Sequence, residues 1–210
     1  MADLAALTGA IEAGDRATAT AVTQEAVDEG MDPRTVLDAM TAAMEVVGAR
    51  FQCQEIYVPE MLISARAMKE ATAVLEPVLV KAGIGPEHTA VLGTITGDLH
   101  DIGKNLVGMM WKGANIAVID LGTNVTPERF VEAAKEHRAH LVGISALLTT
   151  TMVGMKDVVA AIRAANLADV KVIVGGAPVT QDFADQIGAD GYASDAATAV
   201  EVAKTAVGMA

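Results

Sequence analysis

Residues Thr89–Asn105 read TAVLGTITGDLHDIGKN and combine a short apolar run, a glycine-bounded loop and the start of a helical pattern. The run Thr89–Thr94 has the length of a buried strand, and a candidate helix follows at 104–113. The loop is similar to a phosphate loop, but five residues rather than four separate Gly97 from Gly103, and asparagine rather than serine or threonine follows the lysine. Two aspartates inside the loop would also repel a phosphate. The stretch therefore predicts a strand, a loop and a helix without a phosphate site.

The same alternation of short apolar runs and helical stretches continues to the carboxyl end of the chain. Further candidate strands are Ile116–Asp120, Leu141–Ser145, Val170–Val174 and Gly191-Tyr192. Further candidate helices are 127–138, 151–165, 180–187 and 195–208. Strands that alternate with helices of about ten residues predict βαβ units and a parallel sheet. Five such strands favour an α/β fold of the flavodoxin-like (Rossmann-like) kind, a doubly wound five-stranded parallel sheet.

The chain has a different character before residue 85. Apolar residues recur three and four positions apart over 3–13, 16–29, 34–50 and 58–81, which predicts four helices. Asp32-Pro33 is a typical helix start, with proline at the first helical position. We therefore expect an N-terminal four-helix bundle over residues 1–86 and the α/β domain over residues 87–210.

Composition and charge exclude several classes of protein. The formal net charge is −12, which argues against a nucleic acid or an anionic membrane as partner. Cys53 is the single cysteine, so no disulfide can form within the chain and a reducing compartment is expected. The N-terminus lacks the basic start and apolar run of a signal peptide, and no apolar run reaches about 18 residues. We expect a cytoplasmic protein.

Polar residues and glycines cluster after the first, third and fourth predicted strands, which are neighbours in a doubly wound sheet. Ligands of such sheets bind beyond the carboxyl ends of the strands. His100 lies in the first of these loops, and a neutral imidazole is a common metal ligand. Asp98 is close enough in sequence to accept a hydrogen bond from its ring, as carboxylates near ligating histidines do. Ser145, after the third strand, is a candidate for extending this network.

Each of these residues also has a simpler explanation. His100 alone is most often a helix-entry or core histidine, Asp98 a turn or cap residue, and Ser145 a strand-end cap. The pair Gly175-Gly176 after the fourth strand is compatible with a plain turn, or with close approach of a long ligand group to the backbone. A single histidine is too few ligands for zinc. It suffices if a macrocycle fills the other positions of the metal.

The three loops together carry a recognisable pattern. Asp98-x-His100-x-x-Gly103, 41 residues, Ser145-x-Leu147, 27 residues and Gly175-Gly176 are similar to the signature of cobalamin-binding domains. The chain most resembles the corrinoid proteins of methyltransferase systems, in which a helical cap precedes the corrinoid domain. The stretch Tyr57–Leu62 resembles the start of the cap helix of that group.

The resemblance implies a role for each matching residue. His100 would be the axial cobalt ligand of cobalamin or a related cobamide, replacing the nucleotide base of the cofactor (base-off, His-on). Asp98 would hold that imidazole, and Ser145 would join the same network or hold the displaced tail. Leu147 and Gly175-Gly176 would line the slot for the tail. Further cofactor contacts are expected at Gly97, Leu99, Asp101, Ile102, Gly103, Thr149 and Met61. Gly103 would in addition permit the turn into the following helix.

The resemblance also implies a function. The cobalt(I) form would accept a methyl group from a substrate-specific methyltransferase and pass it to a second methyltransferase acting on tetrahydrofolate or a thiol coenzyme. A reductive activase is a further expected partner, and no catalytic residue is expected in this chain, which would not be an enzyme alone. A corrinoid-binding sensor or regulator is the alternative. A response-regulator or nucleotide-binding domain is a third interpretation, although Ser145 stands where a phosphoacceptor aspartate would be needed. The sequence does not name the methyl donor.

Overall fold

The computed structural model describes residues 2–209 of the chain. Contacts between residues divide it into two compact units. One, called here the helical unit, comprises residues 2–86 with 113–115, and the other, the sheet unit, comprises residues 87–112 with 116–209.

The helical unit is a bundle of four helices, as its apolar periodicity predicts. The helices are α1 (Leu4–Ala13), α2 (Arg16–Asp28), α3 (Pro33–Gln52) and α4 (Val58–Lys81). The long helix α4 packs against the other three. Leu7, Ile11, Met40 and Leu75 are fully buried, and such burial is the main source of stability for a bundle of amphipathic helices.

Local sequence signals begin and end these helices. The carboxylates of Asp3, Asp15 and Asp32 accept hydrogen bonds from backbone N–H groups of the first turns of α1, α2 and α3. Gly14 ends α1 with a φ of 71°, in the left-handed region that a residue without a Cβ occupies at no steric cost. The breaks between these helices therefore follow from residues next to them in the sequence.

The sheet unit contains a five-stranded sheet with every pairing parallel. The strands are β1 (His88–Thr94), β2 (Ile116–Asp120), β3 (Leu141–Ser145), β4 (Lys171–Gly175) and β5 (Gly191–Ala193). They lie in the order β2-β1-β3-β4-β5, which is the doubly wound, flavodoxin-like order. The predicted fold class is confirmed.

Six helices of the described chain belong to the sheet unit. They are α5 (Ile102–Gly113), α6 (Pro127–Glu136), α7 (Thr149–Met152), α8 (Met155–Ala164), α9 (Gln181–Ile187) and α10 (Ala196–Val207). The single helix predicted over 151–165 is wrong, because the segment is divided into α7 and α8. Three consecutive threonines and Gly154 favour helix poorly, and the hydroxyl of Thr151 is bound to a side chain outside the helix.

The starts of α5 and β4 also differ from the prediction. The helix expected at 104 begins at Ile102, because the Asn105 N–H already bonds to the carbonyl of Asp101. Gly103 thus lies in the first turn of α5 and not in a left-handed turn before it. The fourth strand begins one residue late, since the N–H of Val170 bonds to Leu167 in the preceding turn.

Aliphatic side chains fill the core of the sheet unit. Val91, Val142, Val172 and Val174 on the central strands are fully buried, as expected for a parallel sheet covered by helices. Trp111 on α5 is also buried, and its indole N–H donates to the carbonyl of Ala199 on α10 at 2.9 Å. In residues 2–209, no helix combines the length and the low polarity that a membrane span requires.

Candidate functional site

The candidate site lies where three neighbouring strands of the sheet end. Thr94 pairs with Ser145, and Ser145 pairs with Gly175, so the last residues of β1, β3 and β4 stand side by side. The loops that follow these strands therefore leave the sheet at the same level. This alignment brings together the three loops that the sequence pattern singles out.

Asp98 and His100 form a short-range pair in the loop after β1. The Nδ1 atom of the His100 ring lies 2.9 Å from Oδ1 of Asp98. The same oxygen accepts the backbone N–H of His100 at 3.0 Å. One carboxylate oxygen thus holds both the backbone and the ring of the histidine, which confirms the contact expected between these two residues.

The other oxygen of Asp98 is held by the loop after β3. Oδ2 accepts the N–H of Leu147 at 2.7 Å, the N–H of Leu148 at 3.3 Å and the hydroxyl of Thr151 at 2.8 Å. Thr151 therefore extends the network. The backbone carbonyl of Ser145 accepts the N–H of Ile95, a bond outside this network, and a role for Ser145 at the tail stays a prediction. Sequence reasoning missed Thr151, because nothing local distinguishes it from its two threonine neighbours.

These donors keep Asp98 ionised although its side chain is fully buried. Burial by itself raises the pKa of the Asp98 carboxyl, but the N–H groups of Leu147 and His100, the His100 ring and the Thr151 hydroxyl outweigh it. The pKa therefore lies well below its usual range. A carboxylate in this state only accepts hydrogen bonds.

The charge of Asp98 determines the tautomer of His100. A contact between Nδ1 and an acceptor-only carboxylate requires a hydrogen on Nδ1, so the neutral ring has its lone pair on Nε2. No group within the described residues binds Nε2, and the side chain of His100 is 55% exposed. The ring therefore has one ring nitrogen bound to a carboxylate and the other free, the arrangement that metal-ligating histidines usually have.

Exposed apolar side chains lie on the same loop as His100. Leu99 and Ile102 are 73% and 80% exposed on either side of His100. Among the described residues of the sheet unit, the exposed large apolar side chains lie on the loops after β1 and β3, at the start of α5 or just after α7: Leu99, Ile102, Leu147, Leu148 and Val153. A concentration of exposed apolar residues at one place marks a surface for a ligand or partner.

The two glycines after β4 are required by the protein's own backbone. A Cβ atom on Gly176 would lie 1.9 Å from the carbonyl oxygen of Ala146, and the residue has a φ of 124°. A Cβ on Gly175 would lie 2.8 Å from the carbonyl oxygen of Ala193. Close approach of two backbones explains both glycines without a ligand, so a slot for a cofactor tail stays a prediction.

The other predicted site residues occupy different environments. Gly97 has a φ of 83° and donates its N–H to the side chain of Asn124, and the carboxylate of Asp101 accepts a hydrogen bond from Asn105. Gly103 has open space where a Cβ would project, and Thr149 is exposed at the start of α7. Met61 on α4 is completely buried.

Lys104 is a second residue that sequence reasoning missed. It is only 2% exposed, and its Nζ atom lies 2.6 Å from both oxygens of Asp120 at the end of β2 and 2.8 Å from Oδ1 of Asn105. Burial raises the pKa of Asp120, but the Lys104 ammonium outweighs it and keeps the pKa below its usual range. The pair fastens the first turn of α5 to the neighbouring strand.

The chemistry of the site fits a metal that arrives already held by a macrocycle. Within residues 2–209, no group of three or more His, Cys, Asp or Glu side chains could hold a metal ion. One imidazole with a free Nε2, on a loop with exposed apolar side chains, offers a single metal ligand and apolar contacts. These are the features that a corrin ring requires.

Comparisons with known proteins agree with this chemistry. Two family models, both described as B12 binding domain, match residues 88–201 and 4–76. A corrinoid protein of Desulfitobacterium hafniense (strain Y51) is 44% identical over 204 residues, which are 95% of this chain and 94% of that protein. The dimethylamine corrinoid protein of Methanosarcina barkeri is 40% identical over 201 residues, 94% of each chain.

A solved structure shares the fold over almost the whole chain. The structure of the methanol:cobalamin methyltransferase complex of Methanosarcina barkeri matches with a TM-score of 0.86 and 29% identity, and the match covers 99% of this chain and 80% of that chain. The resemblance inferred from the residues is confirmed, and the chain belongs to the B12-binding corrinoid proteins.

Proposed function

We propose that the chain is a methyl carrier that binds cobalamin or a related cobamide and serves methyltransferases as their corrinoid subunit. Residues 87–210 are the proposed cobalamin-binding domain, and residues 1–86 the proposed helical cap domain. The observation that carries the proposal is His100, whose ring is held by the ionised Asp98 with Nε2 free and exposed.

His100 is the proposed axial ligand, in the base-off, His-on arrangement. Bound here, the cofactor would supply a cobalt centre able to accept and donate a methyl group. Asp98 holds the ring in the tautomer that presents a lone pair on Nε2, and its negative charge makes the imidazole a better donor. Thr151 and the N–H groups of Leu147 and Leu148 hold Asp98 in turn.

The remaining cofactor contacts are proposed from exposure and from position in the same loops. Leu99, Ile102 and Leu147 have exposed apolar side chains beside His100, which supports contact with a corrin ring. Gly103 leaves open space at the first turn of α5. Ser145 and the glycines after β4 remain candidates for the tail. Gly97, Asp101 and Thr149 are supported only by their place in the same loops, and Met61 by resemblance alone.

The partners follow from the relatives. A methanol-type relative occurs in complex with a methyltransferase, which supports docking of a substrate-specific methyltransferase on this chain. A second methyltransferase, acting on tetrahydrofolate or a thiol coenzyme, and a reductive activase are the finer parts of the proposal. A cytoplasmic location stays a prediction that rests on the single cysteine.

The relatives favour the carrier over the corrinoid-binding sensor. The names of the similar proteins refer to dimethylamine and methanol systems, and one of them is a methyltransferase complex. The sensor would be favoured by light-dependent loss of an adenosyl ligand from the reconstituted protein.

Substitution of the proposed ligand tests the assignment. We expect His100→Ala to weaken the binding of hydroxocobalamin to the full chain by at least tenfold, since even residues behind a metal ligand contribute roughly 10–100-fold. We also expect it to lower methyl transfer with candidate methylamine or methanol methyltransferases. Binding is measured from the absorption spectrum and from cofactor retained after gel filtration.

The matched control is His137→Ala, because His137 lies at the end of α6, on no loop of the site. This variant should bind and transfer like the unchanged protein. Equal affinity and equal methyl transfer for His100→Ala and His137→Ala would contradict the role of His100 as ligand.

A further inference from the structure

The loop that carries His100 is fastened at several points besides Asp98. It begins at Thr94, the last residue of β1, whose side chain is fully buried. The hydroxyl of Thr94 donates to the backbone carbonyl of His100 at 2.9 Å. A strand residue thus reaches across the loop and holds the peptide group that follows the histidine.

Thr94 is itself fixed by the loop after β2. Its N–H donates to the carbonyl of Gly122 at 3.0 Å, and its carbonyl accepts the N–H of Val125 at 2.9 Å. A hydroxyl on such a backbone has little freedom to follow a moving partner. The carbonyl of His100 is therefore tied to a residue whose own N–H and carbonyl are both bound.

Asn124 holds the part of the loop that precedes His100. Its side-chain oxygen accepts the N–H of Gly97 at 2.8 Å, and its own N–H donates to the carbonyl of Asp98 at 3.0 Å. Asn124 has a φ of 56°, in the left-handed region, which asparagine tolerates better than most residues. The two contacts hold the chain on the amino-terminal side of His100.

These contacts account for nearly every polar group of the histidine. The N–H and Nδ1 of His100 are bound to Asp98, and its carbonyl is bound to Thr94. The direction of the ring depends on the peptide groups on both sides of its Cα atom. If either peptide rotates, Nε2 is displaced even while the Asp98 contact is kept.

We propose that Thr94 and Asn124 are positioning residues, which aim the His100 imidazole at a metal by clamping its loop from both ends. The inference deepens the proposed function and depends on it, because it concerns the same ligand. A plain structural role would affect folding alone, whereas a positioning role changes how often the imidazole reaches the metal.

The chain offers well-matched substitutions. Thr94→Val keeps the shape and removes the hydroxyl, while Thr94→Ser keeps the hydroxyl. Asn124→Gly removes the acceptor for Gly97 but keeps the left-handed backbone and the N–H. Thr23→Val in α2 is the control, because Thr23 is also fully buried and donates to a backbone carbonyl, that of Ala19, at 2.7 Å.

The probe is cobinamide, a corrinoid without a nucleotide base, so that any axial nitrogen comes from the protein. In the cobalt(II) state, a coordinated ¹⁴N splits each cobalt line of the electron paramagnetic resonance spectrum into three, and ¹⁵N-histidine splits it into two. Affinity is measured by absorption titration, and the nitrogen-coordinated fraction is measured at saturating cobinamide.

We expect Thr94→Val to bind cobinamide roughly tenfold more weakly and to show a smaller nitrogen-coordinated fraction. Thr94→Ser should restore both quantities to within about twofold, as expected for one retained hydrogen bond. Asn124→Gly should shift both in the same direction by roughly threefold. Thr23→Val should match the unchanged protein in both.

Other outcomes separate the two proposals. If the unchanged protein shows no nitrogen splitting, the proposed ligation by His100 fails. If it shows the splitting and His100→Ala loses it, but Thr94→Val and Asn124→Gly match the unchanged protein while folded, the clamp is overturned and the ligand assignment stands. Equal losses in Thr94→Val and Thr23→Val would also overturn the clamp. If Thr94→Val does not fold, Asn124→Gly decides alone.

Discussion

Two aspartates, one in each unit, make similar bonds in very different settings. Asp15 in the helical unit is exposed, and it accepts the N–H and the hydroxyl of Thr18, three residues further along the chain. Asp98 in the sheet unit is fully buried and accepts the N–H of Leu147 and the hydroxyl of Thr151, which are 49 and 53 residues away. The carboxylate of Asp15 caps the start of a helix, whereas that of Asp98 joins the loops that follow two neighbouring strands.

The difference has consequences for stability and function. An exposed cap exchanges hydrogen bonds with water at little cost, so its loss is tolerated. A buried anion depends on every donor around it, because water cannot replace a lost one. We therefore expect the loss of a long-range contact in the sheet unit to reduce stability more than the loss of a comparable local contact.

Gly176→Ala should have the largest effect on stability. The added Cβ would lie 1.9 Å from the Ala146 carbonyl oxygen at a φ of 124°, so both strain and collision oppose it. We expect a loss of at least about 3 kcal/mol in the free energy of unfolding. This loss is measured by urea unfolding, with the fluorescence of Trp111 as the probe. Trp111 is the single tryptophan and lies in the sheet unit.

The control for this substitution is Gly188→Ala. Gly188 has a φ of 73° as the cap of α9, but no atom lies within 4 Å of the position of a Cβ. It should lose only about 1–2 kcal/mol, the ordinary cost of a left-handed alanine. Equal losses at Gly176 and Gly188 would show that conformation, and not the contact between loops, makes the glycine necessary.

Asp98→Asn should have the next largest effect. The amide removes the charge and places a donor where the backbone and Thr151 also donate, so we expect a loss of about 2–3 kcal/mol. Cobalamin affinity should fall roughly 10–100-fold. Asp15→Asn is the comparison, since asparagine caps a helix about as well as aspartate, and it should leave stability and affinity unchanged.

The acid dependence of stability separates the charge of Asp98 from its packing. The pKa of Asp98 is lowered by folding, so its ionised form stabilises the native state above the pKa of the unfolded chain, near 4. That contribution is lost as the pH falls toward the folded value. The stability difference between the unchanged protein and Asp98→Asn should therefore shrink between about pH 5 and pH 2 in urea titrations. A stability difference that stays constant over this pH range would show that the packing of Asp98, and not its charge, is responsible.

Thr151→Val should have the smallest of the three effects. It removes one hydrogen bond of 2.8 Å to the buried carboxylate, and we expect a loss of about 1–2 kcal/mol. Thr18→Val removes a hydroxyl contact of 2.7 Å to the exposed Asp15 and should cost less. Thermal unfolding compares the two losses of stability. A larger loss for Thr18→Val than for Thr151→Val would contradict the contrast between the units.

Much of the fold could be predicted because its signals are local. Apolar periods and caps such as Asp32-Pro33 mark the helices of the bundle, and short apolar runs mark the strands. The predicted helix over 151–165 was wrong because Thr151 turns toward Asp98, a contact that its own neighbours do not reveal. The start of α5 was misjudged by two residues because Gly103 adopts an ordinary helical conformation there.

The site shows the same division. The pair Asp98 and His100 could be predicted, since only one residue separates them in the loop and the carboxylate is within reach of the ring. Ser145 was a reasonable candidate for the next member, but its place at the end of β3 leaves Thr151 to meet the carboxylate. Lys104 was overlooked because a lysine within an amphipathic pattern is expected on the surface, and only the nearness of Asp120 permits its burial.

The sequence by itself determined where helices and strands form, and which loop carries the imidazole, because these depend on contacts within a few residues. The tertiary structure decided which donors surround Asp98, because they are brought near only when β1 and β3 pair in register, with Thr94 beside Ser145. That register cannot be obtained from either strand alone. The alignment of the two strands supplies the donors that make the buried charge of Asp98 favourable, and Asp98 in turn holds the ring of His100, the proposed ligand.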